Sequence, residues 1–491
     1  MGFPDLQSSS QSLLHSRRVA AAWEQWRHRP RGATALRTDA YPAPGALRGK
    51  LLLGIAIPWV AALVSLLGAS LAFGERYAFS CSLAATAVGI AALWRMFLRR
   101  LDPRIPFLPI GLVFAAKCGV SYWLWTARYM TPGPENKVLQ TGRQFQDIYK
   151  AVVALKETVR YWQLYGFTPW IPESYYLPTN HRFPVVLHAV PCYLSANYAE
   201  VAIPWNAFYS LVTAATVLAI SRLCGLDPAR SRRAFYTALL MPFSWVVAGP
   251  FKDILLQTCM GLVLLAFVAA RDRPLSLILI VPMSALLLSG FRPPYLLFVI
   301  AFAVYTAFWS SERKSVAPWV LLSATVLFAI IAADLLRGTV GLYFSPAAKA
   351  LQYATPLNLD QGPFSPVKRI VVGLLTPFPW TQPFELGLAG WAQVPDYAQA
   401  TVTLGVLSVV IPLLARQLAA GQVPGLPAVF AFLFMLSGMF NPIAIHATYV
   451  QVAAVFLLPE AYRIGARRLG KNILASFALM VLGNVVWLSV R

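Results

Sequence analysis

Long apolar runs recur along this chain, separated by short polar or basic links. The runs fall at 51–73, 78–98, 107–127, 201–223, 234–249, 253–270, 275–290, 294–310, 317–335, 398–416, 425–440, 444–461 and 472–490. An α-helix rises about 1.5 Å per residue, so about 20 apolar residues match a hydrocarbon core about 30 Å thick. The pattern predicts an all-α, polytopic transmembrane protein of about 13 spans. The stretch 183–195 is also apolar, but Pro184, His188 and Pro191 interrupt it. It reads as a half-helix on the membrane surface rather than a span.

The links set an orientation. Arg17, Arg18, Arg27, Arg29, Arg31 and Lys50 precede the first run, and Arg99, Arg100 and Arg104 follow the second. Arg222, Arg230, Arg232 and Arg233 come next, then Arg271 and Arg273, Arg313 and Lys314, and finally Arg463, Arg467, Arg468 and Lys471. All share one side if the N-terminus is cytoplasmic, as the positive-inside bias expects. Residues 1–50 then form a cytoplasmic basic tail, too polar and too long before the first run for a cleavable signal peptide. Within it, Val19-Ala-Ala-Ala-Trp-Glu-Gln-Trp26 reads either as a short basic helix on the cytoplasmic leaflet or as an unstructured tail. Residues 51–491 form a single transmembrane domain with two long outer loops, about 128–200 and 337–397. Both loops are rich in Trp, Tyr and Pro and carry short amphipathic helices.

Composition favours a membrane fold. Of 491 residues, 58% are hydrophobic and 12% charged, and the mean hydropathy is +0.60. Such a chain cannot cover a water-facing surface. The net charge of +22 sits mostly in short links, so it points to anionic head groups or phosphate substrates and not to nucleic acid. Cys81, Cys118, Cys192, Cys224 and Cys259 form no CxxC pair and read as small core residues. No cluster has strong metal-ligand spacing.

Carboxylates are scarce, so each counts. The first outer loop holds Glu135, Asp147, Glu157 and Glu173. Asp147 in Gln146-Asp-Ile-Tyr-Lys-Ala151 is expected to open an amphipathic helix. There the dipole keeps it ionised, as a base or as a plain helix-start charge. Gly249-Pro-Phe-Lys252-Asp253 and Ser289-Gly-Phe-Arg292-Pro-Pro-Tyr295 form outer turns. Lys252 and Asp253 read as site residues or as an interfacial pair, and Arg292 as a phosphate fork or a snorkelling anchor. Pro366-Val-Lys368-Arg369 begins a surface or re-entrant helix that either meets the substrate or only anchors in lipid. Asn441-Pro-Ile-Ala-Ile-His446-Ala-Thr-Tyr449 closes a late outer hairpin, where a lone His is also a common structural residue. Lys252, Arg292, Lys368 and Arg369 are cations on the face that the bias should leave depleted, beside the acidic loop. That grouping suits a phosphate or pyrophosphate on a lipid.

Over about 107–315 the chain resembles the GT-C superfamily of polytopic glycosyltransferases that use polyprenyl-phosphate-linked sugars. The resemblance lies in a span followed by an outer loop with Asp147, Tyr149 and Ala151. It continues in His181-Arg-Phe-Pro184-Val-Val-Leu, in Ser221-Arg-Leu-Cys-Gly225, and in a hairpin with Lys252-Asp253. The chain departs from that family in having two extra N-terminal spans and no acidic residue adjacent to Asp147. The resemblance implies that Asp147, or Glu135 in its place, is the catalytic base. It implies that Lys252, Arg292, Lys368 and Arg369 contact the donor phosphate, with Asp253, Tyr149, His446 and Tyr449 as further site candidates. Some relatives use a divalent metal, so one remains possible, with no ligand set assigned. The expected function is transfer of sugar from a lipid-linked donor, or glycan polymerisation, at the outer face of a bacterial inner membrane. Its partners are that donor and the surrounding lipid. A transporter or flippase of lipid-linked saccharide is the alternative. It expects inverted repeats and charges deep within several helices, whereas here the charges gather at one face, with Lys117 and Asp334 as exceptions. A non-catalytic cell-envelope assembly protein is the third.

Overall fold

The computed structural model describes residues 51–129, 143–168, 182–195, 199–245, 252–271, 274–291, 295–307, 388–420, 422, 424–439 and 447–490. Every element among them is helical. All belong to one compact unit within Pro44–Arg491. Numbered along the described residues, they begin with α1 Leu51–Phe73, α2 Ala78–Leu101, α3 Phe107–Tyr129, α4 Arg143–Tyr165 and α5 Arg182–Leu194. Then follow α6 Ala202–Leu223, α7 Pro228–Leu239, α8 Lys252–Ala270, α9 Leu277–Ser289 and α10 Tyr295–Tyr305. The last are α11 Leu388–Ala419, α12 Leu426–Met439, α13 Ala447–Ala454, α14 Leu458–Ile464 and α15 Ala466–Val490.

Six helices are long and apolar enough to cross a bilayer: α1, α2, α6, α8, α11 and α15. Shorter apolar helices occupy 107–123, 183–194, 277–289 and 426–435. The centre is α6, whose apolar window is wholly buried, whereas α1 and α15 present mostly exposed apolar faces such as Leu71, Leu474 and Leu482. An apolar exterior around a close-packed middle is the arrangement a lipid solvent favours, because lipid tails need no polar cover.

Two expected runs are not continuous helices. The run 234–249 was expected to cross as one helix, but α7 begins at Pro228 and stops at Leu239. Asp227 caps it by accepting the Arg230 N–H at 2.9 Å, with Pro228 in the first turn. After the break comes a 3₁₀ turn, Pro242–Trp245. The run 444–461 likewise divides into α13, a 3₁₀ turn at Val455–Leu457, and α14. The long helix α11 starts at Leu388, nearly three turns before the expected 398.

Among the described residues, the basic links after α2, α6 and α14 gather at one end of the bundle. Asp102, after α2, is fully buried and lies 3.7 Å from Arg232 of α7. Arg463 of α14 pairs with the buried Glu460 at 3.0 Å and donates to the Cys224 carbonyl at 3.1 Å. Arg230 donates to the Arg463 carbonyl at 3.4 Å. These contacts tie the ends of α2, α6, α7 and α14 into one basic face. At the opposite face, Phe183 of α5 packs edge-on against Phe291 after α9, with ring centroids 5.5 Å apart. Ser82 of α2 donates to the Val201 carbonyl before α6 at 2.9 Å.

Helix α11 meets α15 most closely at Gly405. A Cβ there would lie 2.5 Å from Ile473 Cγ1 and 2.8 Å from Ile473 Cα. Backbone cannot retreat as a side chain can, so Gly405→Ala should lower the melting temperature by several degrees, about 1–3 kcal/mol. Gly470→Ala, with nothing within 4 Å of the added carbon, should be neutral. Thermal unfolding of both variants in detergent checks this.

Candidate functional site

The polar interior is built around α6. Its Asn206, Ser210, Thr213 and Thr216 are all buried. Their spacing of three or four residues puts them on neighbouring positions of one side of the helix. Each is used. Asn206 pairs with His188 Nε2 of α5 at 2.8 Å. The Nδ1 of that imidazole lies 2.9 Å from the Pro184 carbonyl oxygen. Thr213 shares a hydrogen bond with Thr258 of α8 at 3.0 Å, and Thr258 also reaches the Tyr209 carbonyl at 2.9 Å. Gln257, one residue earlier in α8, donates to the Val452 carbonyl of α13 at 3.0 Å.

Ser210 meets the one described cation that lies deep in the bundle. Lys117 of α3 is 1% exposed. Its Nζ donates to Ser210 Oγ at 3.0 Å and to Ser244 Oγ at 2.7 Å. The Trp245 ring lies over it, 5.8 Å from Nζ to the centroid. Ser210 and Ser244 have already placed their own hydroxyl hydrogens on the Ala207 carbonyl (2.8 Å) and the Met241 carbonyl (2.7 Å). Their lone pairs therefore face the ammonium. Lys117 stands ten residues into α3, about 15 Å from its basic-face end. Ser210 stands eight residues into α6, about 12 Å from the opposite end. The ammonium is thus near the middle of the bundle, a depth at which a membrane would make charge costly and functional residues concentrate. No carboxylate lies within ion-pair distance of it among the described residues.

The break after α7 supplies half of this site. Where a helix stops inside a bundle, its freed backbone groups need partners. Gln399 of α11 accepts the Phe243 N–H at 2.9 Å and donates to Thr403 at 3.2 Å. Ser121 of α3 donates to the Trp245 carbonyl at 3.3 Å. The 3₁₀ turn is therefore held from both sides by side chains of its neighbours.

No family model, curated protein or solved structure matches this chain.

The residues expected from sequence divide into two groups. Glu135, Arg292, Lys368, Arg369 and His446 lie outside the described residues, as does Asp334. Asp147 and Tyr149 lie on α4, Lys252 and Asp253 begin α8, and Tyr449 is on α13. Asp147 was expected at a helix start. Helix α4 begins at Arg143 and has no acidic residue in its first turn, so Asp147 receives less from the helix dipole than expected. Asp253 does sit in a first turn, that of α8, and is buried. Helix α4 packs on α5, and α5 packs on α6 and α8, so α5 links the segment of Asp147 to that of Lys252 and Asp253. Among the described residues no group of His, Cys, Asp and Glu could hold a metal ion.

The sequence signal for Ser244 and Gln399 is faint, since single Ser and Gln residues are common in spans. Lys117 is legible as the lone charge inside the run 107–127. Removing Gln399 should expose the break. Gln399→Leu leaves the Phe243 N–H buried without an acceptor and should cost about 1–3 kcal/mol. Thr403→Val, which removes only the partner of the amide nitrogen, should cost less. Chemical or thermal denaturation of the two variants separates them.

Proposed function

We propose that the protein is a membrane glycosyltransferase or glycan polymerase that transfers sugar from a polyprenyl-phosphate-linked donor at the face opposite the basic links. The reading includes about 13 spans, a cytoplasmic N-terminus and a bacterial inner membrane. The observation that carries it is α4. This helix of 23 residues, Arg143–Tyr165, bears Asp147. Its buried side holds Val152, Leu155, Val159 and Trp162, while Leu164 and Tyr165 are exposed. A helix with one face on protein and Lys156, Glu157 and Arg160 exposed on the other, ending in the exposed Leu164 and Tyr165, suits the membrane interface. It would hold a carboxylate where lipid head groups lie.

In the proposed reaction the Asp147 carboxylate takes the proton of an acceptor hydroxyl. The acceptor oxygen bonds to the anomeric carbon as the bond from that carbon to the phosphate oxygen breaks. The polyprenyl phosphate leaves with the electron pair, stabilised by nearby cations, with inversion at carbon. One base suffices, without a carboxylate pair at fixed separation.

The buried Lys117 favours a second reading, transport of a lipid-linked saccharide, because deep charge is common on substrate pathways.

The test is sugar incorporation by purified protein from a polyprenyl-phosphate donor, comparing Asp147→Asn with Glu135→Gln. One of the two should fall by about 10²-fold or more. Wild-type turnover in both ends the assignment of the base. Absence of transfer, together with movement of lipid-linked glycan between leaflets, replaces it with the transport reading.

A further inference from the structure

Three features of the interior have no role in the proposed reaction: the Glu460–Arg463 pair, the His188–Asn206 pair and Lys117. Glu460 has Arg463 at 3.0 Å and ties α14 to the end of α6, which accounts for it as a clasp. His188 has both ring nitrogens engaged at 2.9 and 2.8 Å and joins α5 to α6. Lys117 is different, because nothing around it needs a charge.

The break after α7 is already satisfied without it. The Phe243 N–H has Gln399, the Trp245 carbonyl has Ser121, and the Ala207 and Met241 carbonyls have the serine hydroxyls. Among the described residues, the ammonium touches only the spare lone pairs of those hydroxyls and an aromatic face. A methionine of similar length would fill the same space without the desolvation cost of a buried charge. A costly cation that its scaffold does not need is a cation kept for something else.

We infer that Lys117, Ser210 and Ser244 form a mid-membrane binding site for an anionic phosphate oxygen of a lipid-linked substrate. The identity of the ligand rests on the proposed function, where the donor and the leaving group both carry phosphate. An ammonium has three hydrogens. Two lie on the serines, and the Trp245 ring covers the remaining approach. A cation held by a ring face is held more weakly than one held by an anion in a dry site. Phosphate oxygen would therefore displace Trp245. Each serine hydroxyl can also turn its hydrogen from a backbone carbonyl to the incoming oxygen, since hydroxyl rotors adapt. Trp245 shares its 3₁₀ turn with Ser244, and the backbone of that turn is held by Gln399 and Ser121, so this exchange needs rotation of the Trp245 side chain and not movement of the turn.

The experiment uses the full chain in nanodiscs with three probes: farnesyl phosphate, farnesol and inorganic phosphate. Binding is read as a shift in melting temperature with probe concentration. Farnesyl phosphate should stabilise the wild type and farnesol should not. Stabilisation by inorganic phosphate would assign the site to the bare anion, and none would assign it to the lipid-borne group. Lys117→Met should melt higher than wild type without probe and lose the farnesyl phosphate shift. Ser210→Ala with Ser244→Ala keeps the cation and should weaken binding about 10-fold. This double variant carries the test by itself should the lysine variant fail to fold. Wild-type affinity in either variant overturns the site, as does a wild type that ignores farnesyl phosphate. A Lys117→Met protein that melts lower than wild type would make the lysine a structural strut and also overturn it. The glycosyl-transfer assay separates this from the proposed function. Transfer by wild type and Lys117→Met alike removes the site and keeps the enzyme. Lys117-dependent phosphate binding without any transfer keeps the site and removes the enzyme.

Discussion

Inside a bilayer no water is at hand to take up a loose backbone N–H or carbonyl, so each must be matched within the protein. That constraint shapes the middle of this molecule. A helix that continued from Pro228 would satisfy itself. This one stops at Leu239, and the 3₁₀ turn Pro242–Trp245 follows. The turn survives at that depth because α3 lends Ser121 and α11 lends Gln399, at 3.3 and 2.9 Å. Three segments far apart in sequence are thereby fixed to one point. The central helix α6 runs beside them and contributes Ser210.

The same arrangement explains why the charges separate into two kinds. Asp102 and Glu460 are buried carboxylates, but each has an arginine at the basic face, at 3.7 and 3.0 Å. There the long arginine side chains reach outward while the carboxylates stay within, and the pairing offsets part of the cost of burying them. Lys117 stands about ten residues from that face and has hydroxyls for company. Its surroundings are polar enough to admit it and too weakly anionic to neutralise it.

Much of the helical layout was legible in the sequence, because a span needs only length and apolar composition. The six long spans all coincide with runs read from the chain. The breaks were not legible, because hydropathy averages over them. Met241-Pro-Phe-Ser-Trp245 is as apolar as a helix interior, and only Pro242 hints at the stop. The earlier start of α7 was signalled by Asp227-Pro228, a cap followed by a first-turn proline, yet it lies outside the apolar run and adds nothing to hydropathy. The site was less legible still. Asp147 is picked out by rarity, but its distance from a helix end depends on where α4 begins, at Arg143. Lys117 is visible as an anomaly, whereas the serines that face it are not, since one lies 93 positions away and the other 127.

Depth finally bears on how a carboxylate on α4 and an ammonium on α3 could serve one substrate. Helix α4 packs on α5, and α5 packs on α6 and α8, which places α4 on the face opposite the arginines. Lys117 lies below that face by about 12 Å, the depth of Ser210 along α6. A single phosphate cannot touch both at once over that span. A phosphate attached to a flexible isoprenoid can visit both in turn, with its chain already dissolved in the surrounding lipid. On the proposed reading the deep cation would suit a resting or entry position of the head group, and a carboxylate on α4 the place where an acceptor from water meets it. This ordering follows from solubility alone. Sugar acceptors cannot enter the hydrocarbon, whereas the lipid carrier is at home there, so the two can meet only near the interface.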